Sequence, residues 1–450
     1  MATSPPGPNG LPLVGNSREY AKDPFAFLSA VGDAYPRIAK FDLGPLPTYM
    51  VTDPEEIERV LVSEDENYQK LVFGDAIDDL LGEGLLLSDG KRWREQRNLA
   101  NPAFAATRIQ SIADTMSRIA AEHVADWQDG DEVALDIELA QLTVKVIIAA
   151  MFGVEADEST VRTVQENLEP LGQRFEPDPR RVVIPDWAPT AENREFAAAV
   201  ETLEGVIDDL LAERAGTIES GPTAVSEAGE EPMDLTSILL RARERGEQSD
   251  SQLRDELMTM LLAGHDTTAL ALSYTLYLLS EHPEARERHL AEVDEVVGDD
   301  APDAGDARQL SFTDRALSES MRLYPPVYAV FREPQVDVKL GGYRVPAESA
   351  VMLPQWVVHR SERWYDDPEQ FDPERWLPER RRERPRFAYF PFGGGPRHCI
   401  GKQFADLEAK LVLAVLGQRF ELDYTGPELA LRGSLTMHPE EPMTMRVSER

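Results

Sequence analysis

The chain has 450 residues, 42% of them hydrophobic, which is enough apolar material for a large buried core. Its 46 lysine and arginine residues face 82 aspartate and glutamate residues, and the net charge of −36 argues against nucleic acid as a partner, since a polyanion would be repelled. A single cysteine excludes an intramolecular disulfide framework, and no apolar run is long enough to predict a membrane span.

The acidic residues are spread evenly along the chain rather than gathered in one tail. This pattern is typical of proteins from salt-loving microbes, since charges are screened within about 3 Å at about 1 M salt. The first residues also lack the charged stretch and apolar run of a signal peptide. We therefore expect a cytoplasmic protein from a halophilic host; the alternative is an ordinary acidic protein.

Turn and strand signals dominate the first part of the chain. Residues 1–20 are rich in proline and glycine and predict an irregular segment. Alternating apolar residues predict strands at 38–43 and 48–52. A helix is predicted over 53–62, with Asp53 as its N-cap.

The helical period takes over from residue 106, with apolar stripes over 106–127 and 195–215. Residues 219–234 are rich in Gly, Pro, Ser and Glu and predict an exposed acidic loop. A hairpin is predicted over 336–346, turning at Gly341–Gly342. The chain therefore predicts one domain over residues 1–450, mainly α with smaller β-sheets (α+β).

The segment "PFGGGPRHCI", residues 391–400, contains the only cysteine, Cys399, just before an amphipathic helix. Free N–H groups and the helix dipole there favour an anion, so we expect a lowered thiol pKa and a metal-binding thiolate. Glycines 393–395 permit a close approach to a flat group, and the fork of Arg397 suits a carboxylate. These features together suit haem, with its iron and two propionates. The alternative is a buried, inert cysteine after a glycine-rich turn.

The complete pattern from Phe392 to Gly401, F-x-x-G-x-R-x-C-x-G, resembles that of the cytochrome P450 family of haem-thiolate monooxygenases. The resemblance implies the P450 fold and a haem b whose iron is bound by the Cys399 thiolate. It further implies that Arg397 pairs with a haem propionate and that Phe392 packs beneath the ring.

A second segment, "LLAGHDTTALALSYTLYLL" at 261–279, is an apolar helix with a polar interruption at 264–268. The weak helix formers there predict a local distortion. The alternative is a polar stripe that faces water, with its threonine hydroxyls bonding back to the previous turn. The resemblance places Asp266 and Thr267 over the oxygen-binding face of haem. Thr267 would hold a proton-carrying water there, and Asp266 would relay protons inward. His265 falls at a variable position and is expected to be structural.

Further matches fall in the order that the family has. Glu319 and Arg322 share a helix face, and the resemblance implies that they join Arg375 in a buried structural network. It also implies three more propionate contacts: Trp93, Arg97 and Arg332.

Residues 379–386, "ERRRERPR", carry five arginines against two glutamates, a local charge of +3. Such runs are usually solvated, but in so acidic a chain we interpret this one as a docking surface for an acidic electron donor, a ferredoxin with its reductase. Lys91, Arg92 and Arg94 are candidates for the same surface.

We therefore expect a monooxygenase that inserts one oxygen atom from O₂ into an apolar molecule such as a fatty acid, a terpenoid or a steroid-like compound. The pocket would be built from 71–88, 168–190, the stretch after Arg332, and the turn near Leu435. Two alternatives are a haem-thiolate peroxygenase or isomerase that needs no electron donor, and a non-enzymatic haem sensor or carrier.

Overall fold

The computed structural model describes residues 4–71, 75–178, 188–219 and 234–450. Helices make up most of the described chain, as the sequence predicts. The α-helices are α1 (Ser17–Lys22), α2 (Pro24–Ala34), α3 (Pro54–Glu58), α4 (Asp75–Leu81), α5 (Gly90–Ala100), α6 (Ala106–Ser111), α7 (Ala113–His123), α8 (Leu135–Ile147), α9 (Glu158–Arg174), α10 (Ala191–Glu219), α11 (Leu235–Glu244), α12 (Asp250–Glu281), α13 (Pro283–Val296), α14 (Ala304–Ala307), α15 (Ser311–Leu323), α16 (Gln355–Val358), α17 (Pro378–Arg382) and α18 (Lys402–Arg419).

The strands are short and belong to several small sheets. They are β1 (Ile38–Leu43), β2 (Leu46–Val51), β3 (Tyr68–Gln69), β4 (Glu132–Ala134), β5 (Val330–Pro334), β6 (Val338–Leu340), β7 (Tyr343–Val345), β8 (Ala350–Leu353), β9 (Phe420–Tyr424), β10 (Leu431–Gly433), β11 (Met437–Pro439) and β12 (Thr444–Glu449). One sheet has the order β1-β2-β8-β5-β3, a second β4-β12-β9, and the pairs β6–β7 and β10–β11 stand alone.

Local signals place most of these elements correctly. Strand β1 has the predicted bounds, and the predicted hairpin is present, with Leu340 opposite Tyr343. Gly341 and Gly342 form its turn at φ +56° and +89°, a region that favours glycine. Asp53 caps α3 by accepting from the Glu55 N–H at 3.2 Å, although α3 ends at Glu58 and the chain continues as a π-helical turn.

Other predictions need adjustment. The irregular N-terminal segment ends earlier than predicted, because α1 begins at Ser17. The helix predicted over 106–127 is divided into α6 and α7 at Ile112. The stripe over 195–215 lies inside α10. Most of the predicted acidic loop, residues 220–233, lies outside the described residues.

The long helix α12 runs through the core and packs against α8, α15 and α18. It begins with a capping box in which the Ser249 side chain and Gln252 satisfy each other's backbone N–H groups. A methyl group at Gly264 would lie 2.6 Å from Ile147 Cδ1 of α8. Glycine is therefore needed here for the close crossing of the two helices.

The local distortion predicted for α12 is not found, since the helix is α-helical from Asp250 to Glu281. Thr267 Oγ1 donates to the Ala263 carbonyl at 3.0 Å, and Thr268 Oγ1 to the Gly264 carbonyl at 3.3 Å. The hydroxyls bond back to the previous turn, as the alternative expects, but His265 and Thr268 are buried, so this polar segment is not a stripe that faces water.

The predicted charge network is confirmed. Arg322 makes two bonds to Glu319, at 2.9 and 2.8 Å, and both side chains are fully buried. Arg375 Nε and Trp376 Nε1 donate to the same carboxylate at 3.1 and 3.0 Å. The network joins α15 to the segment that leads into the cysteine loop, and it is structural because all its members satisfy one another.

Within the described ranges, no helix is long and apolar enough to cross a membrane.

Candidate active site

The cysteine loop is held against the protein by close backbone contacts. Cys399 N–H donates to the Phe392 carbonyl at 3.0 Å. Gly395 has φ +68°, and a methyl group there would overlap the Leu61 carbonyl oxygen. A methyl group at Gly394 would overlap the Phe387 ring. At these two glycines the backbone therefore approaches the protein's own backbone and core closely.

Cys399 is exposed, although many protein atoms are packed around its sulfur. Burial raises the pKa of its thiol, while the Gly401 N–H and Arg97 act in the opposite direction. The lowered thiol pKa predicted from the helix N-terminus was therefore wrong, because desolvation outweighs it. A bound metal ion supplies the charge that keeps such a thiol deprotonated.

Beside the thiol lie the cations that the sequence singled out. Arg397 donates to the Ser88 carbonyl at 3.0 Å, pairs with Asp89, and has its guanidinium carbon 4.6 Å from the centre of the Trp93 ring. Arg97 donates to the His398 carbonyl at 3.0 Å, next to the cysteine.

Arg332 and Lys70 complete this cluster of cations. Arg332 is 9% exposed, and burial together with Arg397 lowers its pKa to about 10. Burial also lowers the pKa of Lys70 well below its usual range, and the charges of Arg332, Arg397 and Arg97 add to that effect. Among the described residues, four cations therefore form this cluster, and Asp89 and Asp65 are the acids that oppose them.

This donor set fits haem. A buried group of cations is unfavourable unless anions balance it, and two propionates supply the missing negative charge in the form that guanidinium groups bind best. An accessible thiol inside the protein completes the fit, since thiolate is an axial ligand for haem iron. Phe392 is half-buried, with Lys402 Nζ 4.9 Å from its ring centre.

Thr267 and Asp266, the two residues predicted to deliver protons, make hydrogen bonds to different parts of the protein. Ala263 is exposed and Thr267 is half-exposed on α12, while Leu261 and Thr268 beside them are buried. Asp266 instead accepts from Thr436 Oγ1 at 2.7 Å and lies 3.5 Å from His438 Nε2. The structure therefore directs Asp266 to the β10–β11 hairpin, away from the Thr267 hydroxyl. His265 is buried and bonded to the Leu261 carbonyl at 2.6 Å, which agrees with its expected structural role.

The sequence analysis missed several polar residues of this region. Lys70 belongs to no motif, and His438 lies far from α12 in the chain. Glu408 of α18 is fully buried beside Thr268, and burial raises its pKa well above the usual range. No local pattern marks these residues, because each acquires its neighbours only through packing.

Comparison with known proteins identifies the family. The family model "Cytochrome P450" matches residues 5–445. Cyclooctatin synthase of Streptomyces melanosporofaciens is 34% identical over 421 residues, covering 92% of this chain and 89% of the relative. Pentalenene oxygenase of Streptomyces avermitilis is 30% identical over 416 residues, covering 91% and 89%. The crystal structure of the cytochrome P450DA heme domain matches with a TM-score of 0.86 at 28% identity, covering 100% of this chain and 98% of that one.

The chain therefore belongs to the cytochrome P450 family. Members of this family carry haem b with a cysteine thiolate as axial ligand. The protein is accordingly an oxidoreductase of the monooxygenase class.

Proposed function

We propose that this protein inserts one oxygen atom from O₂ into a terpenoid or a similarly apolar molecule, with Cys399 as the haem-iron ligand and an acidic ferredoxin as electron donor. The observation that carries the proposal is the accessible thiol next to Arg97, which belongs to a cluster of four interacting cations. The match to the family model over residues 5–445 supports a single catalytic domain.

Each cation has a role in holding the cofactor. Arg97, Arg332, Arg397 and Lys70 would neutralise the propionates, and Trp93 supports Arg397 through its ring face. Phe392 would pack beneath the ring. When bound, haem supplies the redox chemistry, in which two electrons and two protons reduce O₂ to one inserted oxygen atom and one water.

Thr267 and Asp266 divide the handling of protons between them. The Thr267 hydroxyl gives its proton to the Ala263 carbonyl, so its oxygen is left as an acceptor for a proton-carrying water. Asp266 is ionised and bonded to Thr436. To deliver a proton it must take one up and turn away from the hairpin, so its release is part of the reaction cycle.

Two exposed leucines support an apolar substrate. Leu86 is 41% exposed and Leu435 43% exposed, and each belongs to a segment predicted to line the pocket. Residues 72–74 and 179–187 of the predicted lining lie outside the described residues. By their names, two relatives act in the formation of cyclooctatin and on pentalenene, which favours a terpenoid over a fatty acid.

The basic segment, residues 379–386, ends next to Phe387, and the Phe387 ring packs against Gly394 of the cysteine loop. The segment is therefore adjacent to that loop. Arg381 and Arg382 are exposed and make no ion pair with any described residue, whereas Arg380 pairs with Asp372 at 2.9 Å. Arg94 is also exposed, while Lys91 and Arg92 pair with Glu95 and Glu83. The residues proposed for the docking surface are thereby narrowed to Arg381, Arg382, Arg386 and Arg94.

The oxygenase role is tested by turnover. Candidate terpenes that change the haem spectrum on binding are incubated with a ferredoxin system, with peroxide alone, or with neither. Product that requires the electron donor is the expected result. Product with peroxide alone would instead favour a peroxygenase, and no turnover would favour a sensor or carrier.

The docking surface is tested by charge reversal. Arg381→Glu with Arg382→Glu is expected to slow ferredoxin-supported reduction several-fold at low salt, and the difference should shrink as salt is added. Arg18→Glu with Arg308→Glu, at two exposed positions on other elements, makes the same change of charge and should leave the rate unchanged. Equal rates for both variants would contradict this surface. Origin from a halophile and a cytoplasmic location stay predictions.

A further inference from the structure

A polar cluster joins the β10–β11 hairpin to α12. Thr436 Oγ1 lies 2.7 Å from Asp266 Oδ2 and 2.8 Å from His438 Nε2, and the two charged groups are 3.5 Å apart. A hydroxyl has one proton to donate. Since Asp266 is ionised and accepts that proton, His438 Nε2 must carry its own proton and donate it to the threonine oxygen. A line of donors therefore runs from His438 through Thr436 to Asp266.

The hairpin is fixed at this position by buried contacts. Tyr274 of α12 donates to the Met437 carbonyl at 2.8 Å, and Asp136 of α8 accepts from the Met443 N–H at 2.8 Å, just beyond the hairpin. These contacts hold the backbone that carries His438 independently of the Asp266 side chain. The His438 and Asp266 side chains are 24% and 26% exposed, so a proton lost from His438 has a path to water.

The charges around His438 decide its protonation. Burial opposes the imidazolium, but Asp266 and Asp136 favour it, and the pKa of His438 is raised. Arg432, its cross-strand neighbour, acts in the opposite direction and is itself paired with Glu176 at 2.6 Å. Burial also favours the neutral acid at Asp266, yet the charges of His438 and His265 and the hydrogen bond from Thr436 hold the pKa of that carboxyl well below its usual range. Among the described residues, His265 and Tyr274, both on α12, are further titratable groups near the pair.

We infer that His438 is a positioning residue for Asp266: through Thr436 its imidazolium keeps the carboxylate ionised and turned toward the hairpin, and loss of the imidazolium proton releases it. The inference rests on the proposed role of Asp266 in proton delivery. Release of the Asp266 side chain then needs no separate trigger. When His438 becomes neutral, its attraction for the Asp266 carboxylate is lost, and burial favours a protonated Asp266 that is free to turn.

The first test measures the pair itself. The haem-loaded, reduced, carbon-monoxide-bound protein is labelled at histidine carbon Cε1, and its seven histidines are titrated by NMR. His438→Gln assigns the resonance. In Asp266→Asn the pKa of His438 is expected to fall by about one unit or more, as for loss of a close opposite charge. An unchanged value would overturn the inference, whatever the enzyme's activity.

The second test measures the consequence for the reaction. The turnover of the wild type is expected to rise with pH through the pKa that NMR assigns to His438. His438→Lys keeps a positive charge and should hold turnover low throughout, whereas His438→Gln should hold it high with no inflection there. A wild-type inflection that survives in His438→Gln would refute the positioning role, even if the lysine variant fails to fold. Normal turnover and coupling in Asp266→Asn would instead refute proton delivery by Asp266, leaving the NMR result as a separate finding.

Discussion

Glu256 of α12 gives a quantitative test of how the described packing sets stability. Its side chain is 3% exposed, and one carboxyl oxygen accepts from the Leu85 N–H at 3.1 Å. The other oxygen has no hydrogen-bond partner among the described residues. Burial raises the pKa of Glu256 to about 7, despite the hydrogen bond and with a further contribution from Asp255. The contact between this carboxyl and the loop over 82–88 is therefore most stable when Glu256 is protonated.

The sign of the effect follows from proton binding. Between pH 4.5, the ordinary value for glutamate, and about pH 7 the folded state keeps a proton that the unfolded chain has released, so stability falls as pH rises. Above pH 7 the full penalty applies. A difference of 7 − 4.5 units, at about 1.4 kcal/mol each, gives about 3 kcal/mol.

Glu256→Gln removes this penalty and keeps an oxygen for the Leu85 N–H. We expect the variant to be more stable than the wild type by up to about 3 kcal/mol above about pH 7, and the advantage to vanish toward about pH 4.5. Urea unfolding of the haem-loaded proteins across this range, followed by circular dichroism, measures the difference. Glu287→Gln, at an exposed site on α13, makes the same change of charge and should show no such slope. A constant difference between Glu256→Gln and the wild type at all pH values would refute the reasoning.

Three further predictions concern other contacts. Glu319→Ala leaves the buried guanidinium of Arg322 without its carboxylate, and should cost about 3–5 kcal/mol in urea unfolding; a near-neutral variant would contradict a buried network. Gly264→Ala places a methyl group 2.6 Å from Ile147 Cδ1 and should destabilise the protein by about 1–3 kcal/mol. Adding Ile147→Val, which removes Cδ1, should recover part of that loss. If the costs of the two substitutions simply add, the close crossing of α12 and α8 at Gly264 is contradicted. Lys70→Gln removes one cation of the cluster and should speed haem transfer to a scavenging protein several-fold; an unchanged rate would place Lys70 outside the haem site.

Features that depend on neighbours in the chain were predictable. The turn at Gly341–Gly342, the N-cap at Asp53 and the pairing of Glu319 with Arg322 each involve residues within a few positions of one another. Their geometry is set by local backbone conformation. The cysteine motif is likewise contiguous, and this explains why the fold, the cofactor and the class of reaction could be expected before the structure.

Predictions failed or stopped where one segment meets another. The helix N-terminus suggested a lowered thiol pKa at Cys399, but the protein atoms packed around the accessible sulfur desolvate it and raise that pKa. The composition of α12 suggested a distortion, but Gly264 serves the crossing with α8, and the helix stays regular. A local sequence pattern predicts the effect of a nearby helix dipole on a pKa. It does not predict desolvation, because the atoms that bury a group come from segments distant in the chain.

The sequence by itself determined which residues carry the chemistry: a thiol, an acid and a threonine at recognisable spacings. Only the tertiary structure decided what surrounds them. Lys70 reaches Arg332 and Arg397, and His438 reaches Asp266, each across 170 residues or more of chain. No spacing rule covers such pairs, because long-range contacts are fixed by how helices and sheets pack, and packing depends on the whole core at once.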